Sequence, residues 1–267
     1  MRRSRHRPAI ITRVIKREDD DPMTVRQIEN ALSVIEFFAE RGSPASLGEV
    51  QSHFGWPRSS TYNILSTLVE RGYMYEPARR GGYYPTRRWF ETARALVGAD
   101  PIDAKLSAML AALADETGET AIIAVPGGRH AIYVNVIEPE TPLRYAARVG
   151  MRVPIHAGAS GRALLSRLSE AERRRALAAI TYVQYGEGAL TSPDAVEQEI
   201  GASSLRGWFQ SLHEYDADLA AVALPLVIEN RRMAVTVAGP ISRLGARCGE
   251  VARILARHIA DLSEGDA

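Results

Sequence analysis

Three short amphipathic helical segments in a row, each closed by a glycine and followed by a basic hairpin, constrain this chain more than any other feature. Val25, Ile28, Leu32, Ile35 and Phe38 recur at helical spacing, and Gly42 closes that segment. Ser46-Leu47-Gly48-Glu49 has the spacing of a reciprocal cap and opens a short second helix carrying Val50 and Phe54. Gly55-Trp56-Pro57 breaks it. A third helix is predicted from about 59 to 71, with Tyr62, Leu65, Leu68 and Val69 inward and Gly72 at its end. Tyr73-Met74-Tyr75 and Tyr83-Tyr84 then flank a glycine-softened basic tip with Arg79 and Arg80. This order predicts a winged helix-turn-helix whose third helix enters the major groove of DNA.

With that inward stripe set aside, the third helix exposes Arg58, Ser59, Ser60, Thr61, Asn63, Ser66 and Thr67, and its one acid is Glu70. Hydroxyls and helix-start N–H groups suit phosphate oxygens. Arg58 and Asn63 can each make two hydrogen bonds to a base edge. Arg79 and Arg80 can reach the backbone or the minor groove. The rival explanation is that these polar side chains only solvate a helix, and that the winged helix serves as a protein-contact module in an interaction scaffold. Charge favours DNA: residues 56–90 hold six basic residues and two acids, whereas residues 99–267 hold seventeen basic residues and twenty-one acids.

Pro85 ends the hairpin, and residues 87–97 are predicted as a connecting helix. The expected organisation is an extension over 1–22, disordered and basic at its start, a DNA-binding domain over 23–86, a linker helix over 87–99 and a second domain over 100–263. In the second domain a helix with Leu106, Met109, Leu110 and Leu113 precedes β-rich runs at 119–125, 130–137 and 142–147. A helix follows at about 158–167, Ser169 and Glu172 repeat the capping spacing, and another helix starts at Ser192-Pro193. Strands at 207–212, 219–228 and 232–238 lead to a last helix over about 242–262. The expected class is α+β, an antiparallel sheet with flanking helices.

The hydrophobic content of 46% and charged content of 24% are globular values. The single cysteine, Cys248, rules out an internal disulfide and a thiolate zinc site, and packing is its expected role. The longest apolar run, Leu219–Ile228, is too short to span a bilayer and contains Pro225. A cytoplasmic protein without metal, cofactor or membrane contact is expected.

Ala157-Gly158-Ala159-Ser160-Gly161 opens a predicted helix, where free N–H groups and small residues suit an anionic ligand; close helix–strand packing would favour the same residues. Arg144, Arg148 and Arg152 can attract an anion or simply be solvated. His156 and Ser160 lie four apart, which leaves a hydrolase as an alternative, but no orienting acid or oxyanion site accompanies them. No catalytic residue is expected.

The chain resembles the IclR family of bacterial transcription regulators over about residues 23–263. The resemblance rests on Asn30-Ala31-Leu32-Ser33-Val34-Ile35-Glu36, on Pro57 through Leu65, on Val149 through Ala157, and on Gly161-Arg162-Ala163-Leu164-Leu165. It rests also on Glu214-Tyr215, Ala223-Leu224-Pro225, and Ala238-Gly239-Pro240 followed by Ser242-Arg243-Leu244. It implies a winged helix followed by a GAF-like effector-binding domain, a homodimer or homotetramer, an operator in double-stranded DNA, and a small-molecule effector, an organic acid or an aromatic compound. It places the effector at Ala159, Ser160 and Gly161 and at Ser211, Ala221, Thr236 and Ala238. Members that bind small keto-acids often have Asp, Cys, Ser and Ser at the last four of these positions, and many have Gly where this chain has Asp218. The departures predict a less polar site and a larger or more apolar ligand.

Overall fold

A computed structural model describes residues 25–77, 81–97 and 101–264. The 1–22 extension and the hairpin tip with Arg79 and Arg80 lie outside the described residues. The chain divides into two compact units, one ending at Pro101 and the other resuming at Ile102.

The first unit contains α1 (Arg26–Arg41), α2 (Leu47–Phe54), α3 (Arg58–Glu70), the strands β1 (Met74–Tyr75) and β2 (Tyr84–Pro85), and α4 (Arg88–Val97). Its core is Val34, Phe38, Ala45, Val50, Leu65, Met74 and Tyr83. The predicted stripe on α1 needs correction. Val34 and Phe38 face the core, while Val25, Ile28 and Leu32 remain more than half exposed. The first turns of α1 thus carry a second apolar strip that stays more than half exposed. The hairpin pairs Met74 with Pro85 and Tyr75 with Tyr84, and an isolated bridge between Ala45 and Tyr83 ties its base to the turn before α2.

The cap on α2 forms as its spacing predicts. Ser46 Oγ accepts from Glu49 N–H at 3.3 Å, and Glu49 Oε2 accepts from Ser46 N–H at 2.8 Å. The Ser46 N–H and hydroxyl, both donating to Oε2, with Arg41 beside them, hold the Glu49 carboxyl down at about 2. Ser46→Ala is expected to destabilise this unit by about 1 kcal/mol, read as a lower melting temperature by circular dichroism. An unchanged melting temperature would mean that water caps the helix equally well.

The second unit begins with α5 (Pro101–Thr117). Strands β3 (Thr120–Gly127), β4 (His130–Ile137), β5 (Arg152–Pro154), β6 (Phe209–Leu212), β7 (Leu219–Ile228) and β8 (Arg231–Pro240) form one antiparallel sheet in the order β5-β4-β3-β8-β7-β6. Between β5 and β6 lie α6 (Ala159–Leu165), α7 (Glu170–Ala178) and α8 (Pro193–Arg206). After β8 come α9 (Ile241–Leu244) and α10 (Cys248–Glu264). The predicted last helix is therefore broken by a 3-10 turn over Gly245–Arg247. Residues 142–147 are not a strand. β5 and Met151, whose carbonyl accepts from Tyr133 N–H, take the outer edge of β4 over its first half, and the Tyr145 carbonyl accepts instead from the Thr120 hydroxyl.

Side chains alternate across the sheet. Ala121, Ile123, Val222, Val235 and Val237 pack with the α5 and α10 residues Leu110, Leu113, Val251 and Leu255. Ile122, Ala124, Ala221, Ala223, Ala234 and Ala238 face the other way, with Ala159, Ala163 and Leu164 of α6. The alanines on this side let α6 lie close to the sheet. At Gly161 the approach is closest: a Cβ there would stand 1.9 Å from the Ile155 carbonyl oxygen, so no side chain fits.

Candidate DNA-reading face and effector site

On α3 the buried positions are Thr61 and Leu65, with Ile64, Leu68 and Val69 half-buried, an i, i+3, i+4, i+7, i+8 pattern. The predicted phase is wrong by one residue at the start of the helix. Thr61 points inward, and its hydroxyl donates to the Pro57 carbonyl at 3.0 Å. That bond satisfies the hydroxyl, so a threonine is admitted to the core and removed from the DNA-facing set. Tyr62, predicted inward, is 53% exposed. Sequence reasoning missed it because a phenol ring counts as apolar in a periodicity pattern.

The exposed face of α3 therefore presents Arg58, Ser59, Ser60, Tyr62, Asn63 and Thr67. Thr67 donates its hydroxyl hydrogen to the Asn63 carbonyl at 2.7 Å, which leaves its oxygen as an acceptor rather than a phosphate donor. Behind this face, Phe54 of α2 stacks on Trp56 at 4.2 Å between ring centroids and 11° between planes. The stack stiffens the turn that aims α3.

In the second unit, strand register gathers the positions that lie far apart in sequence. Ser211 pairs with Ala221, and Ala221 with Ala238, which pairs with Thr120. One row along, Ala223 pairs with Thr236. All these side chains face α6. Ala159, Ser160 and Gly161 are buried at its start, so all seven predicted effector residues are buried in one layer.

Around that layer stands a group of rings that periodicity could not reveal. Tyr133 hydrogen-bonds with Tyr145 and Ser160, and burial raises both phenols above their ordinary range. His156 packs on Tyr182 at 4.9 Å and Tyr185 at 6.2 Å, and Tyr185 lies 5.9 Å from Tyr215. Burial holds His156 down to about 4, reinforced by Arg162 and His130, so its ring is neutral near pH 7. Neither ring nitrogen has a partner, and His156 is not hydrogen-bonded to Ser160. The nucleophile–base pair of a hydrolase is not assembled.

Two arginine–glutamate pairs hold the site in place. Arg162, fully buried, donates to both Glu214 oxygens and to the carbonyls of His156 and Gln210, which joins α6 to β6 and to the turn after it. Burial raises the Glu214 carboxyl and Arg162 pulls it back. Arg243 makes a two-pronged contact with buried Glu119, at 2.8 and 2.7 Å. Gly239 lies directly under Glu119, and a Cβ there would stand 2.1 Å from its Oε2. The Gly161-Arg162 and Gly239…Arg243 motifs are thus packing and ion-pair devices.

Of the cations that could attract an anion or simply be solvated, none is buried in this layer. Arg144 pairs with Glu138 at 2.7 Å, Arg148 is exposed, and exposed Arg152 contacts His130. Cys248 is buried and donates to the Leu244 carbonyl. Among the described residues no cluster of three His, Cys, Asp or Glu could hold a metal, and no helix is long and apolar enough to cross a membrane.

Comparison with known proteins supplies the identity. The family model for the bacterial transcriptional regulator IclR C-terminal domain matches residues 94–263, and that for the IclR helix-turn-helix domain matches residues 27–77. The HTH-type transcriptional regulator XynR of Escherichia coli K12 is 26% identical over 84% of this chain and 88% of its own. The crystal structure of the Thermotoga maritima IclR superposes with a TM-score of 0.73 at 20% identity, covering 90% of this chain and 98% of that one. An IclR homolog from Microbacterium hydrocarbonoxydans, solved with 4-hydroxybenzoate, superposes at 0.68 with 18% identity, over 89% and 99% of the two chains. With an α+β architecture of winged helix followed by sheet domain, the chain belongs to the IclR family of bacterial transcriptional regulators, with a helix-turn-helix DNA-binding domain and an effector-binding C-terminal domain.

Proposed function

We propose that the chain acts in the cytoplasm as a homodimeric or higher-order operator-binding regulator without catalytic activity. Arg58, Ser59, Ser60, Tyr62 and Asn63 touch DNA, Thr67 accepts from the groove edge, and Arg79 and Arg80 follow the backbone. The observation that carries this is the outward face of α3, which holds a guanidinium, an amide and hydroxyls, with Glu70 its one acid, at the far end. The exposed strip Val25, Ile28 and Leu32 on α1 suits contact with a second copy, because water-exposed apolar surface gains most when covered.

The effector in this proposal is a small aromatic compound bounded by Ala159, Ser160, Gly161, Ser211, Ala221, Thr236 and Ala238, with the tyrosine rings around it. The homolog solved with 4-hydroxybenzoate supports a ring in this fold. Binding shifts the two recognition helices through α4, by no more than its difference in affinity between the two arrangements.

Capture of fragmented genomic DNA on the purified chain, followed by sequencing, tests the whole. The expected result is a small set of enriched sites with dyad symmetry and half-sites about one helical turn apart, or a multiple of it. Uniform recovery of the genome would refute sequence-specific binding, and enriched sites without a dyad would refute the dimer.

A further inference from the structure

The rings and hydroxyls beside α6 also specify the charge of what binds there, and this step rests on the effector site proposed above. Three uncharged side chains in that layer keep polar atoms with no hydrogen-bond partner: both ring nitrogens of His156, the Tyr215 hydroxyl and the Thr236 hydroxyl; the Arg162 Nε–H of α6 is unpaired as well. His156 and Thr236 are each 1% exposed, so bulk water does not satisfy them. Buried polar groups are almost always paired, and a group of unpaired ones in a single layer marks where a ligand's polar atoms go. Ring contacts link Tyr215 through Tyr185 to His156, Tyr215 packs against the α6-facing cluster, and Thr236 stands between Ala234 and Ala238 of that cluster.

All three groups are electrically neutral. The phenol and the hydroxyl can donate or accept, and the imidazole, held neutral by its burial, offers one donor and one acceptor. Among the described residues the one fully buried arginine or lysine is Arg162, and Glu214 neutralises it through two hydrogen bonds. Its other hydrogen bonds go to the carbonyls of His156 and Gln210, and its Nε–H is unpaired. Arg144 is spent on Glu138, and Arg148 and Arg152 are exposed. A carboxylate placed in this layer would lose its hydration and meet only a guanidinium that Glu214 already neutralises, which is costly. An uncharged ring bearing oxygen atoms would lose little.

We propose that the effector site is selective for uncharged aromatic compounds carrying hydroxyl or carbonyl groups, such as phenols, aromatic aldehydes or amides, over aromatic carboxylates of the same shape, with Tyr215, Thr236 and His156 as its hydrogen-bonding partners.

A near-isosteric pair of probes tests this on the full chain: 4-hydroxybenzamide and 4-hydroxybenzoate, titrated by calorimetry near pH 6.5, where the amide is neutral and the acid ionised. The amide is expected to bind at least about tenfold more tightly. Tyr215→Phe and Thr236→Val are each expected to weaken the amide by about tenfold. If Tyr215→Phe fails to fold, Thr236→Val carries the same test. Equal or tighter binding of the carboxylate would overturn the charge selectivity and leave the effector site standing. Binding of the amide that neither substitution weakens would overturn the assignment of its partners. No heat from either probe would overturn both this inference and the aromatic effector site.

Discussion

Glu214→Ala is expected to cost about 3–5 kcal/mol of the second unit's stability, the usual penalty for removing one partner of a buried ion pair. Glu214 is the counter-charge for Arg162, whose side chain is fully buried while that of Glu214 is 11% exposed. With the carboxylate gone, the guanidinium keeps the His156 and Gln210 carbonyls but loses its ion-pair partner. Its Nε already lacks a partner. Urea denaturation followed by circular dichroism reads the loss. The double substitution Arg162→Met with Glu214→Leu separates charge from packing. Replacing both partners with apolar residues of similar volume is often neutral, so the double variant is expected to be more stable than Glu214→Ala alone. A single variant that unfolds at the same urea concentration as the parent would show that water reaches Arg162 and that the pair is not closed.

The parts legible in sequence were those set by neighbours three or four residues apart. Both capping boxes, at Ser46 and Glu49 and at Ser169 and Glu172, form as their spacing predicts. Ser211, Ala221, Thr236 and Ala238 reach one sheet face because a period of two, once the strands are right, leaves no other choice. What failed was decided by partners elsewhere in the chain. Thr61 looked polar and outward, but the Pro57 carbonyl accepts its hydroxyl and frees its methyl for the core. Val25, Ile28 and Leu32 had the period of a core stripe, but the body of the unit does not reach the first turns of α1. Residues 142–147 have strand composition, but the Tyr145 carbonyl accepts from a side chain, the Thr120 hydroxyl, and no ladder forms. The tyrosines at 133, 145, 182, 185 and 215 converge mostly from irregular segments, and no local pattern announces that.

Arg58→Ala is expected to weaken binding to the specific operator by about 1–3 kcal/mol, roughly 5- to 150-fold. Arg58 is the first residue of α3 and exposed, and no acid lies in that first turn, so its guanidinium is free to face DNA. Its position at the helix start, where recognition helices meet base edges, makes two-pronged contact with a guanine the natural geometry. Ser59 and Ser60 beside it have hydroxyls suited to phosphate, and Ser59→Ala is expected to weaken specific and random duplex alike. The two classes separate in fluorescence anisotropy over a range of salt. A base-reading Arg58 lowers the ratio of specific to random affinity, whereas a phosphate-contacting Arg58 leaves the ratio unchanged and reduces the salt slope by about one. Tyr62→Phe divides the remaining possibilities for the phenol that the periodicity concealed. Loss of affinity would show that its hydroxyl meets DNA, and retention with loss in Tyr62→Ala would show that the ring face does, against a thymine methyl. Full affinity in Arg58→Ala on both duplexes, with Tyr62→Ala equally silent, would mean that α3 turns this face away from the groove.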